Sequence, residues 1–428
     1  MNINHITCLA LACTLAAMTS CRENREEGYR SRTDTNDWII ATLREQYLWH
    51  ETLNESANRY AEPDIYFSNV LSRTGNGGRS DSYSFIDVSG DTGRLDSVTA
   101  TYGLHYYTET TSGRDLAARV LAVADGSPAY IAGIRRGDWI TGVNGIILTE
   151  QTLASLDRGG AATFTRATCA YDEVEETYVW TNTDTVAVAA ARYADGRPFA
   201  CDTTYDIGGH RIGYLKVNPG VSAGTYTGEL ARVLSAMSGC TDLIVDMRYC
   251  GDNDVRFVTD LAAGLLDEGM DDSPFLTLRH NDLHTDSDST ITLGDATGIH
   301  LGCSHIYAIT DGDTGRTNES FIHGLMAYID VTVIGQTSEG SNVVLGCFAC
   351  PAYPQYVIYP VVAAYASADE TADPSQRITP DLEADERTNE VTVYKALGDT
   401  AELMLSRAID VVINGLPTDD EGGGTVTE

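Results

Sequence analysis

Lysine is nearly absent from this sequence. Lys216 and Lys395 are the only two, and lysine plus arginine number 28 against 62 aspartates and glutamates, for a net charge of −34. Nucleic acid needs clustered cations to replace its counterions, so this balance excludes a nucleic-acid partner. It also excludes electrostatic attraction to an anionic lipid surface. Long hydrophobic runs are missing too. The apolar segment from Ile6 to Met18 is too short to span a bilayer as a permanent helix. Acidic runs such as residues 267–272 lack the ligand spacing of a calcium loop and read as solvated loops. No metal site and no cofactor is expected. What remains is globular material. The 428 residues suffice for two or three domains, and a hydrophobic fraction of 43% can build their cores.

The first segment reads as targeting. Ile6 to Met18 leads into Met18-Thr-Ser-Cys21, an apolar stretch, small residues and then cysteine. This resembles a bacterial lipoprotein signal, which implies residues 1–20 as signal peptide, lipidation at Cys21 and residues 21–34 as a flexible tether. The expected location is the exported cell envelope, with a lipid anchor in a membrane. An ordinary secretory signal with an incidental cysteine is the alternative. Beyond Cys21 lie Cys169, Cys201, Cys240, Cys250, Cys303, Cys347 and Cys350. An oxidising compartment allows some of them to pair, and an odd number leaves at least one over. Cys347-Phe-Ala-Cys350 lacks both a redox-type helix start and a second pair of zinc ligands, so it reads as a local disulfide or two plain thiols.

Taken in order, Ile39, Leu43 and Tyr47 recur at helical spacing within residues 37–49, and a short helix is expected around residues 62–72. Residues 35–90 read as a small helical domain. Strands follow at 98–103 and 117–123. The run Gly126-Ser-Pro-Ala-Tyr-Ile-Ala-Gly-Ile-Arg-Arg-Gly-Asp-Trp-Ile-Thr-Gly-Val-Asn-Gly145 then resembles a PDZ domain. It predicts a helix at 129–132, a strand at 139–143 and a turn at Asn144-Gly145. The resemblance covers residues 97–173. It implies that a loop of outward N–H groups holds a peptide's terminal carboxylate while the peptide extends the sheet. The matching loop makes Gly103, Leu104 and His105 the expected peptide-binding residues. A PDZ module kept only for packing is the alternative.

From residue 174 the pattern alternates strand and helix: a strand in 208–218, a helix at 226–238, a strand at 242–249 and a helix at 255–266. A strand at 306–309, a helix at about 318–328 and a strand at 331–334 follow. Such βαβ units imply a largely parallel sheet with function at its strand C-terminal ends. The turn Thr314-Gly-Arg-Thr-Asn-Glu-Ser320 is the central one, because a strand, a tight turn and a helix start present outward N–H groups.

The order of helical segment, PDZ and βαβ core resembles the carboxy-terminal processing, or tail-specific, proteases (serine peptidase family 41), and more closely their Bacteroidetes-type lipoprotein members. The "NDWI…REQYLW…DIYFSNVL" start, the "DLIVDMRY" strand and the "ITPD…LGD" end carry the likeness. It implies a multidomain α/β fold with a ClpP/crotonase-like core over residues 174–414; residues 415–428, by their own composition, read as a disordered tail. In that family the segment matching 314–325 reads T-A-S-A-S-E-L-V-I-N-G-L, with the serine before the glutamate as nucleophile. That position is Asn318 here. The general base is the lysine of a G-E-T-T-x-G-K segment, and the matching position is Ser341. The oxyanion loop R-x-N-G-G-G becomes Arg248-Tyr-Cys-Gly-Asp-Asn253, so Gly251 and Asp252 occupy its positions.

The chemistry of these substitutions points the same way. A serine needs a base, and an amide is no nucleophile. A carboxylate at Asp252 repels a developing oxyanion. Asn318 has a second role open to it, as a helix N-cap. Rescue would need Ser320 and His323, three apart on one helix, to meet. Two functions follow. The first is a membrane-tethered, catalytically inactive relative that binds extended peptides or protein C-termini. The second is an active serine endopeptidase with displaced catalytic residues.

Overall fold

The computed structural model describes residues 30–93, 100–193, 196–222, 224, 226–294, 296–368, 377–388 and 393–417. Residues 1–29, with Cys21, and 418–428 lie outside this set, as do the signal-peptide, lipidation and most of the tail expectations. Two compact units emerge. One holds residues 1–97, 277–289 and 343–365; the other holds 98–276, 290–342 and 366–428.

In the first unit, residues 30–46 are helical, so the helix already includes 30–34 of the expected tether. Its predicted stripe is its buried face: Ile39, Leu43 and Tyr47 have no exposed surface and pack on Tyr66, Phe67 and Val70 of the helix Pro63–Val70. These helices close on strands, since Ile358 and Val361 complete the same core. The strand Phe85–Asp87 pairs antiparallel with Val357–Tyr359. The helical pattern at 35–90 therefore shares its core with chain hundreds of residues away.

The second unit begins with a sheet ordered Leu104–Ser112, Asp115–Val123, Trp139–Val143, Ala162–Asp172 and Thr177–Val188, with Ile146–Ile147 also on Trp139–Val143. Its core gathers Val120, Ile134, Ile140 and Phe164. The expected turn is present: Asn144 and Gly145 both take positive φ, 53° and 75°, as a two-residue hairpin turn requires. The helix Pro128–Ile131 starts with proline after Ser127, whose hydroxyl accepts from the Tyr130 amide. Two details differ from the sequence pattern. The strand expected at 98–103 starts at Leu104 instead, with Thr101 bridging Arg192, while 94–99 lie outside the described residues. The sheet also continues past residue 173, because Thr177–Val188 pairs with Ala162–Asp172 as one long hairpin.

The six-stranded sheet that follows runs in the order Leu382–Glu383, Asp330–Gly335, His305–Thr310, Asp242–Asp246, His210–Val217, Phe199–Ile207. All neighbours are parallel except the last pair. The expected helices appear at Thr227–Met237, Val255–Leu265 and Thr317–Met326. A further helix, Leu403–Asn414, packs Leu405, Ala408, Ile409 and Val412 under the sheet. Glu402 caps it by accepting from the Leu405 amide at 2.9 Å. Among the described residues no helix is long and apolar enough to cross a membrane.

Candidate functional site

The strand His305–Thr310 ends in a turn that Asp311 organises. Its carboxylate accepts from the Tyr249 amide and the Thr314 hydroxyl, each at 3.1 Å. Arg316 then takes φ 50° and ψ −122°, a conformation that side chains rarely adopt, and the helix starts at Thr317. This abrupt turn sets the next side chains against the loop after strand Asp242–Asp246.

Asn318 lies there, fully buried. Its amide nitrogen donates to the Cys250 carbonyl, and its amide oxygen accepts from Asn253 Nδ2, both at 2.9 Å. The helix cap is Arg316, without a side-chain bond, so Asn318 is not the cap that its residue type favours. Its amide is spent on the loop, because the helix start is already inside the protein. Cys250 is also fully buried, and burial pushes its thiol up to about 12. Gly251 is half-buried beside it. Asp252 is exposed, accepting from Thr317 Oγ1 at 3.0 Å and from the Arg316 guanidinium at 3.3 Å.

Ser341 comes within reach of the same turn. Its hydroxyl accepts from the Arg316 amide at 3.1 Å and donates to Glu339 at 2.6 Å. Glu319 receives the amides of Gly340 and Ser341, at 2.6 and 2.7 Å, and the Ser338 hydroxyl. Burial raises its carboxyl while these donors oppose the rise. A Cβ at Gly315 would meet Glu339 Oε2 at 2.2 Å and Ser341 Oγ at 2.6 Å, so both side chains would have to move to admit one. The structure thus unites Asn318, the adjacent pair Gly251 and Asp252, and Ser341, from three separate stretches of sequence. Ser320 is buried on the same helix, and its hydroxyl is directed to the Arg316 carbonyl at 3.2 Å; His323 is half-buried. Lys216 is buried near Cys250, but its ammonium donates to the Arg248 and Val217 carbonyls, at 2.6 and 2.8 Å.

On the PDZ side, Gly103 takes φ +85°, with its amide on Thr101 Oγ1 at 3.1 Å. Leu104 and His105 open the edge strand and pair with Val123 and Ala122. His105 also reaches the turn after strand His305–Thr310. Its ring lies 4.7 Å from that of Tyr249, and Nε2 is 3.0 Å from Asp313. His105, Asp311 and Asp313 are close enough together to hold a metal ion. Arg387, however, already bridges the two carboxylates, so its cation fills the charge role an ion would take.

A buried charge network escaped the sequence. Arg248 pairs with Asp246 at 2.6 Å, Glu386 at 2.9 Å and Glu402 at 3.0 Å. Arg136, from the PDZ segment, joins Glu402 at 2.7 Å, Glu386, and the Tyr249 hydroxyl at 2.9 Å. The only signal was the strand-end Arg248 in an apolar run. Asp246 is two residues away, but Glu386 and Glu402 lie more than a hundred residues on.

Residues 34–85 match the Peptidase S41 N-terminal domain family, and residues 119–158 match the PDZ domain family. A putative S41 protease from Bacteroides fragilis shares the fold, with a TM-score of 0.69 over 88% of this chain and 96% of that one at 22% identity. The chain has the S41 protease fold. The photosystem II D1 C-terminal processing protease is similar over 90% of this chain and 99% of that one, with a TM-score of 0.51 and 15% identity. No curated protein matches the chain in sequence. Within this S41 fold, Asn318 and Ser341 stand at the positions that the sequence pattern aligns with nucleophile and base.

Proposed function

We propose that this S41-fold protein binds extended peptides or protein C-termini without cleaving them, tethered to the envelope membrane by lipid at Cys21. The observation that carries the reading is the Asn318 amide, buried and hydrogen-bonded at both ends to the oxyanion-type loop. A nucleophile must be free to attack, and this side chain is neither nucleophilic nor free. The base position supports the same reading. Ser341 is held by Glu339 and the Arg316 amide and has no basicity to lend. Loss of both groups removes the machinery as a unit. The PDZ match and the name of the D1 C-terminal processing protease favour C-termini as the bound chemistry.

The test pairs a serine-reactive fluorophosphonate probe and unstructured protein substrates with a C-terminal peptide library. Binding of free-carboxylate peptides without labelling or cleavage is the expected outcome. Labelling that disappears in Ser320→Ala overturns the inactive reading. Failure to bind any C-terminal peptide overturns the binding one. Globomycin-sensitive processing, lost in Cys21→Ala, tests the anchor.

A further inference from the structure

The hairpin Ile146–Ile147 pairs with the Trp139–Val143 strand and leaves both isoleucines exposed, at 60% and 56%. It walls one side of a cavity of about 210 Å³ on the PDZ sheet. Trp180 lines the same cavity, held edge-to-face against Trp139 with ring centroids 5.4 Å apart. Asn182 is also fixed. Its amide oxygen accepts from the Thr141 hydroxyl at 2.7 Å, which orients its two N–H donors. Asp115 and Thr165 add a carboxylate and a hydroxyl. A second hollow, of about 330 Å³, adjoins it through Leu116 and carries Arg114, Glu150 and Gln151.

The donor set selects the ligand class. The first cavity has no cation, and Arg114 of the adjoining hollow shares that hollow with Glu150, so a phosphate or carboxylate is repelled by Asp115 and by the acidic chain. One carboxylate without histidine or cysteine does not make a metal set. The hydroxyls and amide exclude a lipid tail, which would leave them unsatisfied. What fits is a neutral ring with vicinal hydroxyls on its edge and C–H bonds on its face. Amide and carboxylate groups are planar and can address two hydroxyls at once, and an indole covers an apolar C–H face. Arg114, Glu150 and Gln151 repeat the planar polar set for a second ring.

We propose that this PDZ face, centred on Trp180 and Asn182, binds a neutral saccharide of at least two rings. The inference is independent of peptide binding, which uses the Gly103 end of the domain. The test titrates the full chain, by calorimetry and tryptophan fluorescence, with maltohexaose, cellohexaose, xylohexaose, mannohexaose and an array of neutral glycans. Saturable binding to at least one is expected, at least tenfold weaker in Asn182→Ala and in Trp180→Ala, with C-terminal peptide binding unchanged. Asn182 is exposed, so its variant keeps the fold if Trp180→Ala does not. Absence of saturable binding across the panel, or binding that Asn182→Ala leaves intact, overturns the proposal.

Discussion

The side-chain amide of Asn318 donates to the main-chain carbonyl of Cys250 over 2.9 Å, tying the first turn of one helix to the loop that closes a neighbouring strand. A hydrogen bond here is structural. It fixes the loop after strand Asp242–Asp246, and it does so with a residue that cannot attack a carbonyl. Asn318→Ala removes the oxygen that accepts from the Asn253 amide, while the Cys250 carbonyl keeps the Gly315 amide at 3.1 Å. The expected loss is about 1–3 kcal/mol, since buried groups left unsatisfied carry their desolvation cost. Urea denaturation measures it, and proteolysis should be nil before and after.

Installing serine and lysine is not enough. Glu339 bonds Ser341 Oγ at 2.6 Å, so in Asn318→Ser with Ser341→Lys the ammonium would meet a carboxylate that keeps it charged. That double variant is expected to show no fluorophosphonate labelling. Adding Glu339→Thr removes the acid and is expected to yield slow labelling. Labelling of the double variant alone would show that Glu339 does not control the site.

The buried arginines carry the strongest stability prediction. Arg248→Met leaves Asp246, Glu386 and Glu402 facing one another with Arg136 as their main remaining cation. Breaking a buried ion pair on one side costs roughly 3–5 kcal/mol. Equilibrium unfolding in urea should show a loss of that size for Arg248→Met.

Acid stability has a stated sign. The hydrogen bond from His105, followed by Arg387 acting against burial, holds the Asp313 carboxyl at about 2, below its ordinary 3.8. At Asp246 burial pushes upward, but Arg248 and Lys216 outweigh it and hold that group at about 2 as well. A depressed carboxyl stabilises the fold above its unfolded value, and that stability is lost as pH falls through the folded value. Thermal melts should therefore decline from about pH 4 toward pH 2. In Asp313→Asn the decline should be shallower.

Gly103 tests the PDZ end. A Cβ at this position would lie 2.3 Å from Ser127 Cβ, and φ is +85°. Gly103→Ala is strained on both counts. C-terminal peptide binding, followed by fluorescence anisotropy, should be lost while the secondary structure by circular dichroism persists.

Local periodicity was sufficient for most elements. The Trp139–Val143 strand, the Asn144-Gly145 turn and the helices at 227–237 and 255–265 lie where spacing and turn chemistry put them, because each is stabilised by neighbours in sequence. The apolar spacing of Leu405, Ile409 and Val412 also encodes the end helix Leu403–Asn414. The start of the PDZ sheet at Leu104 was harder. Edge strands depend on cross-strand partners such as Val123, and a window of sequence does not contain them.

The candidate site divides in the same way. Residue identity alone established that Asn318 and Ser341 cannot serve as nucleophile and lysine base, since that follows from which atoms are present. Only the tertiary structure decided what those residues do instead. The Asn318 amide bonds a loop some seventy positions earlier, and Ser341 is gripped by Glu339 and the Arg316 amide. The Arg248 network joins strand end, PDZ segment and C-terminal chain. Partners at such separations are chosen by packing and burial, which one-dimensional spacing does not encode.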